Sequence, residues 1–164
     1  MSAAGTNGDR PGTPGSARNL FFDELAIGAR FISTGRTITD ADIVLFAGLS
    51  GDFTRIHLDE EYGRQTAFGG RVAHGALGLS IATGLITQMG VTQETAMALL
   101  DITARFAGPL RIGDTVHAEL SVRSKKETSK PDRGVVGFDF SLVNQKAETV
   151  LVGQETVMVR RHQG

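Results

Sequence analysis

The segment from Gly75 to Met89, "GALGLSIATGLITQM", contains no charged residue. Its length and composition predict a helix, and a helix that is apolar or small on every side has to be covered. At about 1.5 Å per residue it is too short for a comfortable membrane span. Its Gly, Ala, Ser and Thr residues let a sheet approach closely. The expectation is a central buried helix with something wrapped over it.

The C-terminal half supplies the wrapper. In "ALLDITARF", Leu100, Ile102, Ala104 and Phe106 alternate with Asp101, Thr103 and Arg105. In "DTVHAELSV", Val116, Ala118, Leu120 and Val122 alternate with polar residues, and Val136, Phe138, Phe140 and Leu142 share one face of "VVGFDFSLV". "TVLVGQETVMVR" reads as a last strand. Period two, repeated, predicts half-buried antiparallel strands, with "GPLRIGD", "SKPDRG" and "NQKAE" as the turns. The fold class is α+β: one domain, an antiparallel sheet wrapped around a long buried helix.

Before the helix the chain is more broken. Residues 1–18 are rich in Gly, Ser, Pro and Ala, without an apolar run. They are neither a signal peptide nor an anchor, and we expect a disordered tail. Leu20, Phe21, Phe22, Leu25 and Ile27 are apolar enough to dock on a core. Gly28 marks a turn into a strand over about residues 29–38. Thr39, with Asp42 three residues on, predicts a capped helix start, and Gly51 a helix end. "DEEYGRQTA" predicts a second short helix. The ordered domain is expected over residues 19–162.

Composition excludes several function classes. The formal net charge is −1 over 164 residues, so there is no basic footprint for nucleic acid. The chain has no cysteine, which removes disulfides, thiolate metal sites and a thiol nucleophile, and fits a cytoplasmic location. His117 and His162 have no partner at metal-ligand spacing, and no metal site is expected.

Two features carry chemistry. In "SGDFTRIHLD", Asp52 precedes His57 by five positions. On one helix these side chains would lie roughly 140° apart, so only a turn between them brings them together. A carboxylate and an imidazole that converge can handle protons. The second feature is His74-Gly75, where a loop enters the central helix. First-turn N–H groups lack intrahelical partners and carry partial positive charge, and glycine lets a substrate approach the backbone. Together, an acid/base pair and an oxyanion donor are what adding water across an enoyl thioester requires.

"FAGLSGDFTRIHLDEEY", "FGGRVAHGALGLSIATGL" and "ARFAGPLRIGDTVHAEL" resemble the MaoC-like dehydratase, or (R)-specific enoyl-CoA hydratase, family of the hotdog fold, over about residues 20–160. The resemblance implies that Asp52 and His57 are the catalytic pair holding one water. It also implies that the Gly75 N–H holds the thioester carbonyl. Thr54 and Arg55 stand where the family usually has Asn-Pro; with His74 and Arg71 they are candidates for substrate binding. Further cations, among them Arg105, Arg111 and Lys125, are candidates for coenzyme A phosphates.

The implied reaction interconverts a trans-2-enoyl and a (R)-3-hydroxyacyl thioester, on coenzyme A or an acyl carrier protein, without a cofactor. The implied assembly is a homodimer or a dimer of dimers. A hotdog thioesterase and a non-catalytic acyl-thioester-binding subunit are the alternatives. The central helix has no Asp or Glu, which argues against the thioesterase.

Overall fold

The computed structural model describes residues 18–162. The expected tail therefore lies outside the described residues, apart from Arg18. Arg18 and Asn19 both donate their N–H groups to the Gly90 carbonyl at 2.8 Å. Phe22 and Leu25 are buried, whereas Ile27 points outward with 66% of its surface exposed.

Six strands form one antiparallel sheet: β1 (Arg30–Ile32), β2 (Arg36–Thr37), β3 (Ala96–Phe106), β4 (Thr115–Glu127), β5 (Arg133–Asn144) and β6 (Thr149–Arg160). Their order is β1-β4-β5-β6-β3, with β2 also on β4. The strand expected near 29–38 is split. At the break, Ser33 exchanges bonds with Ala118, its N–H donating to the carbonyl and its hydroxyl oxygen accepting from the amide.

Among the described residues, four α-helices precede most of the sheet: α1 (Asp40–Ser50), α2 (Arg55–Leu58), α3 (Glu60–Arg64) and α4 (Gly75–Gln88). α1 begins at the predicted capping box, with Thr39 and Asp42 bonded reciprocally, and ends at Gly51 in the left-handed region (φ 77°). That conformation suits glycine. α2 occupies the stretch where only a turn was expected.

The sheet curls over α4, whose Leu77, Ile81, Ala82 and Leu85 are buried with Val116, Ala118 and Leu120 of β4 and Phe138, Phe140 and Leu142 of β5. This is the wrapped helix that the hotdog resemblance implies. Its burial is one-sided, however: Ala76, Ser80, Gly84 and Thr87 are exposed. β3 also departs from expectation. Its alternation is present, but it is the last strand of the sheet, and Leu100 and Phe106 are 50% and 56% exposed. Among the described residues no helix is long and apolar enough to cross a membrane.

Candidate active site

The site lies on the rim between the end of α1 and the start of α4. Gly51 turns the chain out of α1. The exposed Asp52 that follows is shaped by its neighbours: its N–H donates to the Ser50 hydroxyl at 3.2 Å. Its carboxylate oxygen Oδ1 accepts from the Thr54 amide at 3.1 Å and from the Thr54 hydroxyl at 2.5 Å. The amide bond closes an Asx-turn. The Thr54 hydroxyl first, and the Thr54 amide second, hold the Asp52 carboxyl below its ordinary range; the imidazoles of His74 and His57 act in the same direction.

The chain re-enters as α2, which carries His57. Its ring nitrogen Nδ1 lies 2.7 Å from the Val72 carbonyl oxygen. A carbonyl only accepts, so Nδ1 holds a proton and Nε2 is the nitrogen left for other partners. The same peptide segment returns the contact, since Val72 N–H donates to the Ile56 carbonyl at 3.3 Å. Val72 is thus clamped against α2, and Ala73 N–H is in turn tied to the Leu110 carbonyl at 2.8 Å.

His74 lies beneath the pair. It is only 2% exposed, and its ring stacks on His57 at 3.8 Å between centroids. Its Nε2 lies 3.0 Å from the Asp52 backbone carbonyl and donates to it. Nδ1 of His74 is buried without a hydrogen-bond partner. One donor atom each from Asp52, His57 and His74 falls within 4.8 Å of the others. The pair therefore converges. These residue types also suit a metal. The rings of His57 and His74 are nearly parallel, however, 28° apart, so their in-plane lone pairs do not meet on an ion about 2.0–2.1 Å from each nitrogen.

His74 is also the residue before α4, and no side chain caps that helix. Its first-turn amides, beginning with Gly75, are the free donors that the sequence pattern anticipated. A Cβ at Gly75 would lie 3.1 Å from the Phe106 ring, a tight contact that the ring would have to relieve by shifting slightly. Beside it opens a cavity of about 480 Å³ whose lining includes Phe68, His74, Gly75, Phe106 and Leu110.

Four candidates are thus gathered on the rim: Asp52, Thr54, His57 and Gly75. His74 is gathered too, as a buried residue that also lines the cavity beside Gly75. Two are elsewhere. Arg55 is spent on Asp59, 2.7 Å away, and stacks on Tyr62. Arg71 is held by Asp40 at 2.8 Å and Glu60 at 3.2 Å, strapping the start of α1 to α3. Both guanidinium groups are paired with carboxylates, Arg55 with its side chain still largely exposed and Arg71 with its side chain half-buried. Sequence reasoning missed the Val72 carbonyl, which carries no side-chain signal, and the Phe106 wall, which period two placed in the inward set.

The MaoC like domain family matches residues 24–141. An (R)-specific enoyl-CoA hydratase of Rhodospirillum rubrum is 33% identical over 141 residues, covering 85% of this chain and 91% of that protein. Protein MaoC of Klebsiella aerogenes is 37% identical over 105 residues; the match takes in 64% of this chain but only 31% of that protein's length. The crystal structure of the MaoC-like dehydratase from Rhodospirillum rubrum superposes with a TM-score of 0.80 at 31% identity, over 88% of this chain and 99% of that one. By fold and by sequence, the chain belongs to the MaoC-like domain family.

Proposed function

We propose that the protein adds water reversibly across a trans-2-enoyl thioester to form a (R)-3-hydroxyacyl thioester. The observation that carries this reading is the convergence of Asp52, in the loop after α1, and His57, on α2, beside the uncapped start of α4. The name of the Rhodospirillum rubrum relative supports the same reaction class.

In the hydration direction, Asp52 takes a proton from the water as its oxygen attacks C3. The ionised state that Thr54 favours is the one a base needs. His57 shares that water or, in its charged form, delivers a proton from Nε2 to C2; the Val72 carbonyl sets which nitrogen is free for this. Negative charge developing on the thioester oxygen is met by the Gly75 N–H. One such donor is typically worth about 2.7–4 kcal/mol in the transition state.

The test follows loss of enoyl-thioester absorbance with crotonyl-CoA and longer homologues. Asp52→Asn and His57→Ala are each expected to lower kcat by about 10²–10⁴-fold. Wild-type rates in both would remove the pair from the mechanism. Release of free thiol without alkene loss would make the protein a thioesterase, and tight acyl-CoA binding without turnover would make it a binding subunit.

The reaction as written needs no cofactor, so activity should survive exhaustive dialysis against EDTA. We further propose a homodimer, alone or as a dimer of such dimers. β3 ends the sheet with Met97, Leu99 and Leu100 exposed, and α4 presents a small, uncharged outer face. An apolar strand edge of this kind is a template for pairing. A monomer in sedimentation velocity at micromolar concentration would refute this. The cysteine-free sequence supports a cytoplasmic setting, which cell fractionation would test.

A further inference from the structure

We propose that Thr54 is a positioning residue for Asp52. It places both its donors on Oδ1, fixes the carboxylate plane, and leaves Oδ2 as the oxygen that takes the proton from water. This rests on the hydratase reading above and adds to it a division of labour within one carboxylate.

Three observations converge on Thr54. First, its two donors share one acceptor: amide and hydroxyl both end on Oδ1, at 3.1 and 2.5 Å. An ionised carboxylate offers about four lone-pair sites on two oxygens. Loading one oxygen twice leaves the other available and holds the group against rotation.

Second, Thr54 breaks a local rule. It is the residue before α2, where threonine normally turns its oxygen toward the helix amides. Here α2 has no side-chain cap, because the hydroxyl donates backwards to Asp52. A helix of four residues left uncapped by a residue well suited to cap it is a local cost. Such costs concentrate at functional sites.

Third, α2 is held by other means. Arg55, its first residue, bonds the Asp59 carboxylate through Nε at 3.0 Å and Nη2 at 2.7 Å. Its guanidinium also lies 4.6 Å from the Tyr62 ring centroid. The clamp joins the start of α2 to α3 and leaves the Thr54 hydroxyl free for Asp52. The direction in which the Asp52 carboxyl is held agrees, since the Thr54 hydroxyl is the largest contributor.

The experiment compares Thr54→Val, which removes the hydroxyl and keeps the amide and the shape, with Thr54→Ser, which restores the hydroxyl. The first readout is the carbon-13 titration of the Asp52 carboxyl by NMR, which needs no turnover. Loss of a donor to the charged form raises a carboxyl's pKa, so in Thr54→Val the titration should move up by about one pH unit. Thr54→Ser should titrate like wild type. The second readout is the pH profile of kcat/KM on crotonyl-CoA. Its acid limb should rise with the titration in Thr54→Val, with kcat about tenfold lower at neutral pH and KM unchanged within about twofold.

An unmoved titration in Thr54→Val overturns the proposal. So does a rise in KM with kcat intact, which would make Thr54 a substrate contact. Failure of the wild type to hydrate any enoyl thioester would overturn the hydratase reading instead, and the titration would still decide whether Thr54 holds Asp52.

Discussion

The core beneath the sheet and the rim around Asp52 are built on opposite terms. The core is apolar and closed: Val116, Ala118, Phe138 and Leu142 are at most 1% exposed. The rim is polar and open, and its order comes from short-range hydrogen bonds. Asp52 is exposed and bonded to residues two positions away on either side, and His57 is set by one peptide carbonyl. Burial therefore carries the stability, and hydrogen bonding carries the order of the proposed site. The two meet at His74, which is as buried as the core and touches both halves of the pair.

The largest effect should come from breaking the core while sparing the rim. Phe138→Ala removes a side chain 1% exposed in the middle strand, at an expected cost of about 3–5 kcal/mol in urea unfolding. The folded fraction should keep its kcat. A matching loss of kcat per folded molecule would show that the two regions are not separable.

The reverse experiment strikes the rim. Gly75→Ala drives a methyl group against the Phe106 ring, 3.1 Å away. Phe106 is half exposed and can yield, so Tm should move by no more than about 2 °C. Displacement of the α4 amides should nonetheless cost kcat about 10- to 100-fold. A large fall in Tm with kcat kept would make Gly75 a packing residue only.

The smallest effect concerns an acid buried within the sheet. Glu155 is 7% exposed on β6, and burial pushes its carboxyl up. Its pKa in the folded protein thus exceeds the unfolded value of about 4.5. Above that value the unfolded chain releases the proton more readily, so this group costs increasing stability as pH rises. Glu155→Gln, neutral throughout, should be stabilising at pH 7 relative to wild type, and that gain should vanish near pH 4. An equal effect at both pH values would exclude ionisation as the cause.

Comparison of β5 with β3 shows how much of the fold was legible. Both show period two, and both were assigned as strands for that reason. β5 is central and its Phe138, Phe140 and Leu142 are buried; β3 is last in the order, and Leu100 is half exposed. Alternation reports which side chains share a face, not whether that face is covered. α4 repeats the lesson: its uncharged surface was visible, but only the inward half is buried.

The site divides the same way. Asp52, His57 and Gly75 were marked by residue type, spacing and a helix start. The support given by His74, the Val72 carbonyl and the Phe106 wall was not, because each depends on a contact between distant segments. Arg55 and Arg71 looked like free cations until their carboxylates were placed.

Local physics needs only neighbouring residues, and so the sequence by itself determined the capped α1, the uncharged α4, the alternating strands and the presence of an acid, a histidine and an exposed helix start. Which strand ends the sheet, which side of α4 is covered, which oxygen of Asp52 is bonded and which histidine nitrogen is free were decided only by the tertiary structure. Each of those depends on groups brought together across the fold, where packing and hydrogen-bond geometry select among arrangements that the local pattern allows equally.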